Sequence, residues 1–401
     1  MITEMNCDVL VFGAGPAGAV CASKLAKEGF EVICIDSVKK PGAYHTSKID
    51  ITENKGIEDI IKEFKLDYLA KTNKSIWFSP SDKFTFVSSV HDLFFLRGVA
   101  EDSLDYSLFL SMQDNGVDIW FDSKPIKLNK VFDKVESVLI KKKNKQILVK
   151  SKIIVVATGE DNFFYKNLDI YEKDVTKIVG FGALMFNLSM ENKTTNIFFD
   201  ANYAPGGYFF VGRVSKDMGV AMLVANKSKL KKPIKECFYN FIKNNPELYG
   251  VMLGAETIEF NSGERTISNI SKIINGNVAF CGDSARTMSP IFAYGVNPAI
   301  RSGYLLAKKL KKYNLSEKAL FEYEKEMKKS ILDNFQEKML RKAYNNLSNK
   351  DFDFLVETAN YLHSKQHLDK LVDSDEYKFE HILKSILRRP SKIIKLLFKI
   401  V

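Results

Sequence analysis

Three features predict an α/β chain: a parallel sheet, interrupted by an antiparallel insert and followed by a helical tail. The apolar run Val9 to Phe12 leads straight into a glycine-rich turn and a helical pattern. Strand-like runs bounded by turn residues crowd the stretch from about Asn162 to Asn269. Beyond Ser316 the chain is charged, with helical periodicity and no strand pattern. Uninterrupted apolar runs suit strands buried on both faces of a parallel sheet, and short runs between turns suit antiparallel strands. The expected units are a discontinuous first domain (1–161 with 270–315), a sheet domain over 162–269 and a helical region over 316–401.

The first unit is the most informative. Gly13-Ala14-Gly15-Pro16-Ala17-Gly18 follows the strand at once and opens a helix with Ala17, Val20, Cys21 and Leu25 on one face. Gly29 stops that helix, and Val32 to Ile35 forms a second buried strand ending at Asp36. Gly13 permits the tight turn, Gly15 lets the backbone approach a pyrophosphate, and Gly18 lets helix and strand pack closely. The helix N-terminus offers free N–H groups and partial positive charge to phosphates. Asp36 stands where a carboxylate accepts hydrogen bonds from ribose hydroxyls. Strand, turn, helix, strand and acid agree on a dinucleotide site.

Beyond Asp36, a polar turn with Pro41-Gly42 leads to a helix around Ile57 to Phe64. Ile76 to Phe78 and Lys83 to Val87 flank Ser79-Pro80-Ser81-Asp82 as a hairpin. Arg97 precedes an amphipathic helix that starts at Ser103-Leu104-Asp105, carries Leu104, Leu108 and Met112 on one face, and closes at Asn115-Gly116. Val117 to Phe121 is a strand. Val131 to Ile140 and Gln146 to Val149 form a hairpin whose basic turn, Lys141 to Lys145, reads as a solvated tip. Ile153 to Ala157 is another buried strand, running into Thr158-Gly159. In the insert, Val179 to Leu188, Ile197 to Asp200, Tyr208 to Val214 and Gly219 to Val224 are strands, with a helix over Pro233 to Lys243 lying against them. Asn277 to Cys281 then returns to the first sheet and ends in Gly282-Asp283, and Gly295 stands ahead of a helix carrying Ala299, Ile300, Leu305 and Leu306.

A net charge of +10 and a pI near 9.0 point to an anionic partner. The lysines are dispersed and neither helix-turn-helix nor zinc-ligand spacing occurs, so nucleic acid is not expected; a membrane surface or a phosphorylated substrate fits at least as well. Cys7, Cys21, Cys34, Cys237 and Cys281 show no CxxC spacing and read as reduced core thiols of a cytoplasmic protein, without disulfides or metal. Met1 leads almost directly into the first strand, so no signal peptide is expected, and no apolar run is long enough to span a bilayer. Lys392, Lys395 and Lys399 share one helical face, with Arg388 and Arg389 nearby and apolar residues elsewhere. That pattern suits a basic helix lying peripherally on an anionic membrane; a last helix docked on the core, with its lysines in solvent, suits it equally.

GAGPAG with Asp36, the VVATG strand end, and CGDSA followed by SPIFAYGVNPAI together resemble flavoproteins built like p-hydroxybenzoate hydroxylase. The resemblance implies a Rossmann-type FAD-binding domain of the glutathione reductase/p-hydroxybenzoate hydroxylase type, with an inserted antiparallel-sheet substrate domain. It carries FAD contacts to Gly13, Ala14, Gly15, Pro16, Ala17, Gly18, Asp36, Arg97, Ala157, Thr158, Gly159, Gly282, Asp283, Gly295, Val296 and Asn297. Asp283 would bind the ribityl and pyrophosphate region, Gly295 would open the helix facing the pyrimidine end, and Arg97 would face the cofactor. A helix N-terminus there would stabilise negative charge on reduced flavin.

Within that superfamily the chain resembles the geranylgeranyl reductase family in its RG…DSLD helix, in PGGYFFVGRV (Pro205 to Val214), and in a tail containing NLSNKDFDFL and LRRPSKIIKLL. This implies hydride transfer from reduced flavin N5 to C=C bonds of a polyprenyl (geranylgeranyl-type) lipid or precursor. An external donor would rereduce the flavin: NAD(P)H, a deazaflavin or a ferredoxin. Two departures stand out. Gly212 and Arg213 replace the Phe-Pro of the family's YxWxFP segment, and Tyr44-His45-Thr46 stands where many members have Cys-Gly, leaving His45 or Tyr44 as substitute proton donors. Met185, Phe186, Tyr208, Phe210, Phe292 and Tyr294 are candidate walls of an apolar substrate pocket. Two competing readings are an FAD monooxygenase or halogenase of an aromatic or secondary metabolite, and a non-catalytic flavoprotein or lipid carrier.

Overall fold

The computed structural model describes residues 2–44, 48–332 and 341–364. Two eight-stranded sheets organise the chain. The first places Ile274–Asn275, Val278–Phe280, Lys145–Val156, Thr3–Phe12, Val32–Ile35 and Asp118–Trp120 side by side, the last five parallel. Read from Asp118–Trp120, these parallel strands run third, second, first, fourth, fifth in chain order. That is the doubly wound order, whose switch point falls between Thr3–Phe12 and Lys145–Val156, where ligands bind beyond the strands' carboxyl ends. Val9, Leu10 and Val11 are fully buried, as suits the apolar run of an interior strand in a parallel sheet. The Ser123–Val131 and Lys134–Lys142 hairpin adds to the edge of Lys145–Val156.

Two helices, Pro16–Lys27 and Val296–Lys312, pack side by side over the switch point. Their contact requires Gly303, where a Cβ would come within 2.0 Å of the Ala17 carbonyl oxygen. The sheet and these helices share one apolar core that contains Cys21, Cys34 and Cys281; all five cysteines are free and buried.

The second sheet runs Glu256–Ile270, Glu172–Phe186, Gly219–Asn226, Tyr208–Arg213, Thr194–Phe198, Ala70–Phe78, Lys83–Arg97, Lys48–Glu53. It is antiparallel except where Thr194–Phe198 lies parallel to Ala70–Phe78. The strands from 48–97 therefore complete the sheet that was expected within 162–269, and a boundary at 162 does not divide the two sheets. The hairpin at 70–97 is legible locally, whereas its pairing of Ile76 with Asn196 joins segments that no local pattern connects.

Period-two alternation gives this sheet two different faces. Tyr208 and Phe210 join Ile49, Phe94, Phe199 and Phe352 on one face. Phe209 and Val211 join Phe181, Phe238 and Phe241 on the other, beneath the helices Ile234–Asn244 and Pro246–Met252. The tail folds back as two described helices. Glu317–Ser330 packs on Val296–Lys312, and Asn349–Ser364 packs on Lys83–Arg97. Among the described residues no helix is long and apolar enough to cross a membrane. The basic face of Lys392, Lys395 and Lys399 lies outside the described residues.

Candidate functional site

Three backbone features shape the cradle at the switch point. Gly13 has φ +100°, donates its N–H to the Ile35 carbonyl at 2.7 Å, and lies where a Cβ would sit 2.2 Å from the Ala157 oxygen. Gly18 packs so tightly that its Cβ would meet the Gly13 oxygen at 1.9 Å. Gly15 is the opposite case: nothing lies within 4 Å of its Cβ position. It also precedes the Pro16–Lys27 helix with no side-chain cap, leaving the first-turn N–H groups uncapped by any side chain. Open space and uncapped donors at one helix start make an anion cradle.

Asp36 braces this loop, accepting from Ala14 N at 2.7 Å and from Val38 N at 3.1 Å. Each carboxylate oxygen keeps a second lone pair for a ligand hydroxyl. Around the loop lie two buried polar atoms with no partner, Thr158 Oγ1 and Asp283 Oδ1. Buried polar atoms are nearly always paired, so two orphans at one switch point mark where ligand hydroxyls and phosphates belong. Burial raises the Asp283 carboxyl above its ordinary value, while the Arg265 charge opposes that rise. A Cβ on Gly295 would lie 3.5 Å from Asp283 Oδ1, and Gly295 precedes the Val296–Lys312 helix, again with no side-chain cap. An open approach at Gly15, two orphaned atoms and a second uncapped helix start fit an extended dinucleotide carrying FAD's polar groups.

Several expected contacts have other employment. The Asn297 side chain donates to the carbonyls of Glu53 and Lys55, each at 2.8 Å, and its backbone N–H donates to Thr52 Oγ1 at 3.1 Å. It fastens the Lys48–Glu53 strand to the helix start, while Val296 is buried in the first core. Arg97 clasps Asp105 through Nε at 2.9 Å and Nη2 at 2.8 Å, and reaches Asp50 through Nη1 at 2.8 Å. It locks the Leu104–Asp114 helix to the sheet, and its charge still acts on Asp283. Gly282 and Ala17 serve helix packing: a Cβ on Gly282 would stand 2.8 Å from that of Ala17. Gly159 has φ +64° and open space at its Cβ position.

On the substrate side, a cavity of about 150 Å³ is lined by Trp77, Phe199, Ile291, Phe292, Tyr344, Phe352, Leu355 and Val356. Of the expected walls, Phe292 lines it. Tyr208 holds that residue through a hydroxyl bond to the Phe292 carbonyl at 2.5 Å, and Tyr294 stacks on its ring. Phe210 is buried in the same cluster. Met185 is a correction: it faces the opposite side of the sheet, in the core beneath Ile234–Asn244, because its neighbour Leu184 takes the near side. Phe186 is exposed. Trp77, Phe199 and Tyr344 were not singled out by sequence. Phe352 lies within the NLSNKDFDFL segment that carried the family resemblance, which was the available signal.

Both departures from the family pattern have local explanations or limits. A Cβ on Gly212 would crowd the rings of Phe94 and Phe210 at 2.8 and 2.9 Å, so those rings occupy the space a larger residue would need. Arg213 binds the carbonyls of Met190, Ser215 and Lys216 and closes a turn. Tyr44 is 69% exposed, and His45 lies outside the described residues. Sequence reasoning missed Asp92. This half-buried carboxyl is paired across the strands with Glu53, and burial with the Glu53 charge pushes it up to about 7. Its charge reaches Tyr208 and Tyr294.

The sequence profile of the FAD binding domain family matches residues 6–338. A digeranylgeranylglycerophospholipid reductase of Thermoplasma volcanium is 26% identical over 413 residues, spanning 97% of this chain and 98% of the relative. Among solved structures, a geranylgeranyl bacteriochlorophyll reductase-like protein from Thermoplasma acidophilum superposes with a TM-score of 0.80 at 20% identity, covering 99% of this chain and 100% of the other. A flavin-dependent brominase superposes with a TM-score of 0.75 at 17% identity, covering 97% and 100%. The fold is common to reductases and halogenating enzymes, so the reaction has to be argued from the site.

Proposed function

This chain belongs to the FAD binding domain family, and we propose that it is a reductase saturating C=C bonds of a polyprenyl lipid or lipid precursor of geranylgeranyl type. The observation that carries the reading is the aromatic cavity on the sheet face beneath residues 288–294, the loop that leads directly into Gly295 of the cofactor cradle. Relatives named for reduction of digeranylgeranylglycerophospholipids, aligned along nearly the whole chain, support the substrate class.

FAD, once bound and reduced by an external donor, would supply the hydride. The chain's own residues do the rest. The Gly15 cradle, Thr158 and Asp283 hold the polar end of the cofactor. Trp77, Phe199, Phe292 and Phe352 exclude water and give an isoprenoid tail apolar walls. Alkene saturation also needs a proton, and Asp92 is a carboxyl whose proton-holding range is pushed up to about 7 and whose charge acts on Tyr294. It takes the place of the family cysteine in preference to the exposed Tyr44. The electron donor is an external nicotinamide, deazaflavin or ferredoxin.

The decisive experiment is anaerobic. Reduced holoenzyme should be reoxidised by geranylgeranyl diphosphate or digeranylgeranylglyceryl phosphate, with loss of a double bond from the product. Indifference to both, with turnover of an aromatic substrate only in oxygen, would favour the monooxygenase or halogenase reading. Peripheral membrane contact through residues 388–401 belongs to the same proposal. Removing residues 390–401 should weaken co-sedimentation with anionic vesicles, and unchanged partitioning would leave the last segment as a docked helix.

A further inference from the structure

Arg341 is 4% exposed, yet it has no carboxylate partner among the described residues. Its Nη1 reaches the Pro290 carbonyl at a long 3.4 Å, while Nε and Nη2 are buried without any hydrogen-bond partner. A guanidinium keeps its proton under all ordinary conditions, so this is a standing buried charge. Buried charges are normally paired. The other buried arginines among the described residues obey that rule: Arg97 has Asp105 and Asp50, and Arg286 has Glu172 at 2.8 Å and Glu160 at 3.6 Å.

The location of the exception is informative. The Arg341 guanidinium lies 5.6 Å from the centre of the Tyr344 ring, a wall of the aromatic cavity. The carbonyl it touches belongs to Pro290, the residue before Ile291, another wall. One cation therefore stands beside a cavity otherwise built of apolar and aromatic side chains. The N–H groups of Nε and Nη2 lie along one edge of a guanidinium, the edge that grips two oxygens of a phosphate at once.

We propose that Arg341 is an anion subsite that takes the phosphate or diphosphate head of an amphiphilic substrate whose apolar tail enters the aromatic cavity. The identity of the tail rests on the polyprenyl reading; the anion subsite does not. Arg341 thus sets specificity for charged over neutral isoprenoids, and it accounts for how a mainly apolar pocket fixes the register of a long, featureless chain.

The test uses FAD-loaded full-length protein, wild type and Arg341→Met, with three probes: geranylgeranyl diphosphate, geranylgeraniol and inorganic pyrophosphate. Arg341→Met should weaken geranylgeranyl diphosphate binding on the order of tenfold to a hundredfold and leave geranylgeraniol binding unchanged. Pyrophosphate should raise the Tm of the wild type and not that of Arg341→Met, and Arg341→Lys should recover part of both effects. Ligand-free Arg341→Met should melt no lower than wild type, since the substitution removes an unpaired charge of similar volume. A lower Tm would mean that Arg341 is a structural residue and would overturn the proposal. Equal diphosphate affinity in the two proteins, or an equal pyrophosphate shift, would overturn it as well. Should neither isoprenoid bind while pyrophosphate still separates wild type from Arg341→Met, the polyprenyl reading falls and the anion subsite stands.

Discussion

The cofactor end and the substrate end of this molecule are built on opposite plans. The cofactor cradle comes mainly from backbone: glycines that allow close approach, two helix starts without side-chain caps, and two orphaned polar atoms. The proposed substrate cavity comes from side chains, with aromatic rings contributed by four distant segments around Trp77, Phe199, Phe292 and Phe352. A pyrophosphate is recognised by N–H groups that every sequence possesses, so geometry is what must be encoded, and glycine encodes it. An apolar tail is recognised by shape, which many side-chain combinations supply.

The largest expected effect tests the backbone half of that contrast. At Gly15 the backbone is ordinary (φ −74°, ψ −177°) and the Cβ position is open, so Gly15→Val should fold normally and lose FAD. Gly18→Val should fail to fold, because its Cβ would overlap a backbone carbonyl. Two neighbouring glycines of one motif would thereby separate cofactor space from packing space. Asp283→Ala should keep the fold and weaken FAD binding by about tenfold to a hundredfold, the usual worth of a charge-assisted hydrogen bond. Circular dichroism with flavin absorbance after gel filtration reads all three, and a yellow, folded Gly15→Val protein would refute the cradle.

The same contrast explains what could be read from the sequence. Gly13 to Gly18, Asp36, Thr158, Asp283 and Gly295 are legible because each lies in a contiguous strand–turn–helix signal, where local spacing determines the geometry. The fold class was legible for the same reason. Arg97 and Asn297 are expected from their motifs as cofactor contacts, but the partners they hold, Asp105 with Asp50 and the carbonyls of Glu53 and Lys55, become visible only once the 48–97 strands join the second sheet. Met185 was misplaced by one step of a period-two pattern. Which face of a strand meets the substrate depends on what packs against it, and the helix Ile234–Asn244 took Met185's side. Asp92 and Arg341 carry no sequence signal: one is made unusual by burial beside a cross-strand acid and the other by a missing partner.

Asp92 offers a smaller and finer test, because it is the acidic element at the aromatic end. Its carboxyl is pushed up to about 7, first by burial and then by the Glu53 charge across the strand pair. The acid form therefore predominates below that value and is lost above it. If this proton is the one delivered to the alkene, the rate of flavin reoxidation by geranylgeranyl diphosphate should be flat at low pH and fall tenfold per pH unit above about 7. Asp92→Asn should slow reoxidation and remove that limb while leaving FAD content unchanged, since no cofactor contact is lost. Glu53→Gln should shift the limb to lower pH, because removing the neighbouring negative charge makes the Asp92 proton easier to lose. The stability sign follows from the same shift. A carboxyl with its pKa raised on folding binds more protons in the native state, so its contribution is present at low pH and fades as pH rises toward 7. A pH–rate limb that survives in Asp92→Asn would remove Asp92 from the reaction and return the proton to a group outside the described residues, His45 first among them.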